Sequence, residues 1–239
     1  MLDGKTSDCL AIANAAILMR LIEELIERDV LARPGAIALL RDAATSAAAP
    51  WVFLSGPAGS GKTHLLLAAC AVATTTGRSA QYLSMDKIAG RRADAIRSLG
   101  GSDLLALDDV HAIAGDAAAE HALFDLYNRC KVEKSTLLFA ATVAPAQAGI
   151  ALPDLVSRLS ACTQARLTPL DDTQRRDWLR VRAHARGLTL DDTVLDWLFA
   201  HHARDPASLA ALLDRIDRAA LAAQRRVTVP FLRGLLGGA

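Results

Sequence analysis

The chain has 239 residues, of which 52% are hydrophobic, 22% charged and 4% aromatic, with a formal net charge of +1. This length and apolar share allow a large core and exclude wholesale disorder, while near-neutrality excludes global attraction to nucleic acid or anionic membrane. So few aromatic residues also argue against a base-stacking surface of the single-strand-binding kind.

The run Cys9 to Met19 is too short to span a membrane. Its apolar pattern continues through Leu21, Ile22, Leu25 and Ile26, between Arg20, Glu23, Glu24 and Glu27, which predicts an amphipathic helix. Residues 1–48 read as an N-terminal helical segment of two helices. Ser7 or Asp8 can cap the first, and Pro34 lies early in the second. Cys9, Cys70, Cys130 and Cys162 show no metal-ligand spacing and read as small buried hydrophobes in a reducing cytoplasm.

From Trp51 the pattern changes to strands alternating with helices. The stretches 51–55, 80–84, 104–109 and 136–142 read as strands, with a fifth at 163–169. Helices are expected from Lys62 to about Thr75, after the second strand through Ile96, and from about Ala117 to Cys130. Alternation of this kind implies a parallel sheet covered on both faces, here over 49–168. Residues 169–239 read as helices only: Gly187 stops the first, Asp191 caps the second, Asp205 and Pro206 open the third, and Thr228 caps a short terminal one. A small helical domain thus follows an α/β domain.

The chemistry starts at "SGPAGSGKTH", a G-x-x-x-x-G-K-[ST] loop between a predicted strand and a predicted helix. Gly56, Pro57, Ala58, Gly59, Ser60, Gly61, Lys62, Thr63 and His64 form the candidate phosphate cradle. The glycines let backbone amides approach the anion, Lys62 would reach the β- and γ-phosphates, and the Thr63 hydroxyl would ligate Mg²⁺. "LLALDDVH" then brings Asp108 and Asp109 to the carboxyl end of a strand, where open α/β sheets bind ligands. Asp108 would hold Mg²⁺ and Asp109 would orient or deprotonate the attacking water; His111 reads as a loop residue. A strand–helix unit, 80–98, lies between these motifs, and together with the helical C-terminal domain it points to an AAA+ P-loop NTPase rather than a small-molecule kinase. The arginines of the first lid helix, Arg175 to Arg186, lie among Asp171, Asp172 and Asp177 and read as a solvated face.

"LPDLVSRLSACTQARLTPLDD" (152–172) resembles the DnaA-family stretch that carries an arginine finger, and "RIDRAALAAQRRVTVPFLRGLL" (215–236) resembles the Hda-type regulatory inactivators of DnaA. The resemblance covers about 48–237. It implies that Arg158 is a finger acting on a neighbour's nucleotide, that Arg204 is the second sensor arginine of the lid, and that Thr142 stands at the first sensor position. Read from the residue alone, Arg158 is better explained as a surface arginine bridging to Asp154; the surrounding resemblance is what favours the finger. The implied protein is a cytoplasmic regulator that binds ADP or ATP with Mg²⁺, pairs with DnaA and stimulates hydrolysis there, with weak turnover of its own; a homodimer is compatible with this. The chain stops at Ala239 before any helix-turn-helix domain, which disfavours an origin-binding initiator. Its first residues contain no recognisable Gln-Leu peptide for the sliding clamp, which leaves clamp docking open. The rival reading is a DnaC-like or transposon-type helicase loader that acts through its own hydrolysis.

Overall fold

The computed structural model describes residues 34–203 and 205–236. The predicted helix over 9–26, Cys9 and Arg204 lie outside the described residues. Two compact units are present, 34–169 and 170–236.

The first unit is an open parallel sheet. Its strands are β1 (Val52–Ser55), β2 (Ala80–Ser84), β3 (Leu104–Asp108), β4 (Thr136–Ala141) and β5 (Thr163–Arg166), in the spatial order β2-β3-β4-β1-β5. Every residue of β1, β3 and β4 is buried, as strands covered on both faces require. The edge strands β2 and β5 are only partly buried. Phe53 of β1 and Phe139 of β4 stack in the middle of the core, with ring centroids 6.2 Å apart and no exposure.

Helices α1 (Pro34–Thr45), α2 (Lys62–Thr75), α3 (Arg92–Ser98), α4 (Ala117–Glu133) and α5 (Pro153–Ala161) cover this sheet. The small residues Ala68, Ala69, Ala71 and Ala73 on α2 are buried and let it lie close to the strands. At the C-terminus of α1, the carbonyls of Ala43 and Ala44 accept hydrogen bonds from the Arg78 guanidinium at 2.7 and 2.8 Å. The same guanidinium reaches the Asp103 carbonyl and Thr136 Oγ1 and so ties α1 to the base of β3 and β4.

The helix expected to follow β2 without interruption is divided. A 3₁₀ turn at Asp86–Ile88 ends before Gly90, whose φ of 82° is left-handed, and α3 starts only at Arg92. At the other extreme, α4 runs a turn past its expected end at Cys130 and stops at Lys134, with φ 60°.

The second unit contains α6 (Asp172–His184), α7 (Asp192–His201), α8 (Pro206–Ala223) and α9 (Val229–Leu236). Asp171 and Gln174 form a reciprocal capping box on α6, and Asp191 and Asp205 cap α7 and α8. Thr228 Oγ1 accepts from the Phe231 amide at the start of α9. Leu179, Leu195, Leu198, Leu213 and Leu232 lie at the centre of a core of its own. No helix among the described residues is long and apolar enough to cross a membrane.

Burial pushes the thiols of Cys70 and Cys162 up to about 12 and that of Cys130 up to about 11, so they remain protonated at neutral pH. Replacing Phe139 by Ala is expected to lower unfolding free energy by about 3–5 kcal/mol, because the stacked Phe53 ring cannot collapse into the space left. Denaturant titration of the pair of proteins checks this.

Candidate functional site

The strand order decides where the motifs meet. Because β4 lies between β1 and β3, the carboxyl ends of three neighbouring strands bring the glycine loop, Thr142 and the acid pair to one edge of the sheet. Ser55 pairs with Ala141, Leu107 with Phe139, and Ser84 of β2 with Asp108.

In the loop, Pro57, Ala58 and Gly59 are exposed, whereas Ser60 and Lys62 are buried. Gly59 and Gly61 have φ of 73° and 88°, left-handed values that a side chain would strain, and Gly61 leads directly into α2. The Lys62 ammonium donates to the carbonyls of Gly56 at 2.6 Å and Pro57 at 2.9 Å, so the loop's own oxygens hold the cation at its base. His64 is exposed on the first turn of α2. Gly56 has a second reason to be glycine that the motif alone does not reveal. A Cβ there would lie 2.4 Å from the Leu167 carbonyl, where the chain leaves β5, and Leu167 in turn donates its amide to Ser55.

The acid pair is surrounded by donors. Asp108, 1% exposed, accepts at Oδ2 from Thr63 Oγ1 at 2.6 Å and from the Tyr82 hydroxyl at 2.9 Å. Its Oδ1 accepts from the Asp109 amide at 2.9 Å. Asp109 has φ 55°, an uncommon left-handed conformation that turns the chain out of β3 into a 3₁₀ turn, Val110–Ile113. Ser84 Oγ donates to its carboxylate at 3.1 Å. Tyr82 and Ser84 were not found from sequence; the available signal was their i, i+2 spacing, which puts both on one face of the strand paired with β3. Burial, then the charges of Asp108 and Asp109, raise the Tyr82 hydroxyl well above the usual tyrosine range and keep it a donor. Thr142 follows β4, and its amide donates to His111 Nδ1 at 3.5 Å, so His111 is bonded to the segment after β4 through the backbone of Thr142.

Arg158 lies on α5, away from the acid pair in sequence and on a different element. Its guanidinium carbon is 4.9 Å from the Phe124 ring centroid and 5.3 Å from that of Tyr127, both on α4. Among the described residues it forms no ion pair with Asp154, the bridge that a bland reading of the sequence allowed. The arginines of α6 do find acids: Arg175 pairs with Asp172, Arg176 with Asp196, and Arg180 with both Asp177 and Asp192. Arg186 pairs with Asp214, and Arg182 lies over the Trp178 ring.

These residues fit a magnesium nucleotide. Thr63 and Asp108 are hard oxygen donors already in contact, and Mg²⁺ takes one or two such groups plus phosphates rather than an all-protein cage.

Residues 30–166, more than half of the chain, match the family model of the bacterial DnaA ATPase domain, and residues 172–236 match that of the Hda lid domain. Among solved structures, the chain is similar to domain III of the Thermotoga maritima replication initiation protein DnaA. The identity is 21%, the TM-score 0.66, and the match covers 84% of this chain and 89% of that one. It is similar to the replication initiator DnaA bound to AMPPCP and single-stranded DNA, at 22% identity and TM-score 0.63, over 79% of this chain and 63% of that one. The Thermotoga maritima RuvB Holliday junction branch migration motor matches at 18% identity and TM-score 0.57, over 79% and 61% of the two chains. The chain therefore spans about three-fifths of the length of the longer DnaA chain, and at these identities the likeness is one of fold.

Replacing Gly56 by Ala is expected to displace the loop from Leu167 and lower affinity for ATP and ADP at least about tenfold, since a misplaced cradle loses more than one charge-assisted hydrogen bond. Isothermal titration of the folded variant checks this; unchanged affinity would mean that the loop tolerates the displaced carbonyl.

Proposed function

This chain belongs to the bacterial DnaA ATPase-domain family and carries an Hda lid domain, and from that premise we propose that it restrains replication initiation by stimulating ATP hydrolysis on DnaA. The observation that carries the reading is the occurrence of both matches in one chain: an initiator-type ATPase domain joined to the lid of a regulator.

An AAA+ domain implies nucleotide binding. In this reading Gly56 to Thr63, with Lys62 at the base of the loop, hold the phosphates of ADP or ATP, and Thr63 and Asp108 hold Mg²⁺. When bound, the metal supplies charge neutralisation at the phosphates. Asp109 is the water-orienting residue of this chain's own site, and its Ser84 hydrogen bond sets the direction of the carboxylate. The regulatory output is assigned to Arg158. Its planar guanidinium would neutralise charge that develops on a partner's triphosphate, the role of an arginine finger supplied in trans. Arg158 fits that role because no acid among the described residues pairs with it and it stands only partly buried on a short helix.

A helicase loader that works through its own turnover is the competing reading, and the complete Thr63, Asp108 and Asp109 set favours it. The two differ in which residue the output depends on. Replacing Arg158 by Ala is expected to remove most of the stimulation of DnaA hydrolysis, a loss of about 10³-fold or more in the stimulated rate, with nucleotide binding intact. A single-turnover assay with purified DnaA measures it. Turnover by this chain alone that rises with single-stranded DNA and requires Asp109 would favour the loader instead.

A further inference from the structure

We infer that one face of α4, formed by Glu120, Phe124 and Tyr127, is a seat that aims Arg158, and that these are positioning residues for the finger. The inference rests on the trans-finger reading above and names the residues through which that arginine is regulated.

The three positions are spaced i, i+4 and i+7, so they form a single stripe along α4. At the start of the stripe is a carboxylate with unusual surroundings. Glu120 is 2% exposed, and its partners are backbone amides. Oε1 accepts from Gly115 at 3.1 Å, and both oxygens accept from Ala151, at 3.1 and 3.0 Å. Oε2 also accepts from Leu152 at 2.9 Å. Leu152 is the residue before α5 and offers that helix no side-chain cap. Glu120 therefore satisfies the Leu152 amide at the α5 N-cap from a different helix, and adds its charge to that of Asp154 in the first turn of α5.

The far end of α5 is held as well. Gln164 Nε2, on β5, donates to the carbonyls of Leu159 at 2.9 Å, Ser160 at 3.4 Å and Cys162 at 2.9 Å. A nine-residue helix clamped at both ends has little freedom to rotate about its axis. Its remaining degree of freedom at the finger is the side chain of Arg158, which lies over Phe124 and Tyr127. Tyr127 is itself fixed by Trp51, whose ring meets it edge-on at 4.5 Å and 78°. Rings attract the guanidinium without consuming its N–H donors. An acid in their place would bind those donors and hold them away from a phosphate.

The stripe also joins two parts of the molecule. Gly115 ends the turn that follows Asp108 and Asp109 and contains His111, and Ala151 and Leu152 lead into α5. Glu120 binds both segments with one carboxylate. The loop after the acid pair and the helix carrying the finger thus share a single anchor.

The test uses the full chain with purified DnaA. Tyr127→Leu is expected to lower maximal stimulation about three- to tenfold at an unchanged half-saturating concentration and unchanged affinity of this chain for ADP, whereas Tyr127→Phe, which keeps the ring, retains it. Glu120→Gln places an amide NH₂ against the Ala151 or Leu152 amide and is expected to lower maximal stimulation about tenfold in the same pattern. Independently of activity, the Arg158 Nε–H resonance is expected to lie upfield from ring currents in the unmodified protein and to move downfield in Tyr127→Leu. Stimulation by Tyr127→Leu equal to that of the unmodified chain, or an Arg158 resonance with no ring-current shift, overturns the seat. If Arg158→Ala itself still stimulates, the regulatory function falls, while the resonance continues to report the seat alone.

Discussion

The hydrogen bond from Thr63 to Asp108, 2.6 Å long, joins residues 45 apart in sequence, and the first unit is arranged so that it can form. The chain leaving β1 must reach β2 at the far edge of the sheet, beyond β4 and β3. A right-handed crossover carries α2 over those strands, and α2 indeed packs on β2, β3 and β4. Its first turn consequently passes above the end of β3. Gly59 and Gly61 make the reversal possible, and the Leu167 carbonyl occupies the space that a side chain at Gly56 would need. The loop, the hydroxyl and the carboxylate are therefore consequences of one crossover, and they would separate together if the strand order changed.

Much of this was legible in the residues. All five strands lie where strands were expected, although β5, Thr163–Arg166, is mostly polar; α2 begins and ends where its pattern does, and Asp191 and Asp205 cap the helices their positions suggested. Those signals are local: a run, a period, a cap three residues from its amide. What escaped was long-range. Tyr82 is 26 positions from Asp108, and only the pairing of β2 with β3 brings its hydroxyl to the carboxylate. The break at Gly90 lies between two helical patterns that read as one, because a single glycine does not disclose the sign of its φ. Glu120 looks like an ordinary acid in the first turn of a helix; besides nearby Gly115, its partners lie 31 and 32 positions further on.

Asp108 and Glu120 solve the same physical problem differently. A buried carboxylate is stable only when donors surround it. Asp108 is met by two hydroxyls and one amide, and Glu120 by amides alone. Hydroxyls rotate and can be exchanged for another ligand, as the metal-holding role proposed for Asp108 would require. Backbone amides are fixed by the fold, as suits an anchor. The donor types thus separate an acid fitted for exchange from an acid fitted for permanence.

The cations follow a parallel division. On α6, Arg175, Arg176 and Arg180 each contact carboxylates on a partly exposed surface, where such pairs contribute little, and Arg176 also lies over the Phe199 ring. Arg158 is the opposite case. An ion pair with Asp154, one turn away, would have to be broken before the guanidinium could meet a phosphate. Breaking it would oppose the very interaction that a finger provides. Resting on Phe124 and Tyr127, the group keeps its charge partly desolvated, and among the described residues its in-plane N–H groups are uncommitted. An aromatic support therefore stabilises the orientation of the side chain without competing for the atoms that would act on a partner, and an acidic one cannot.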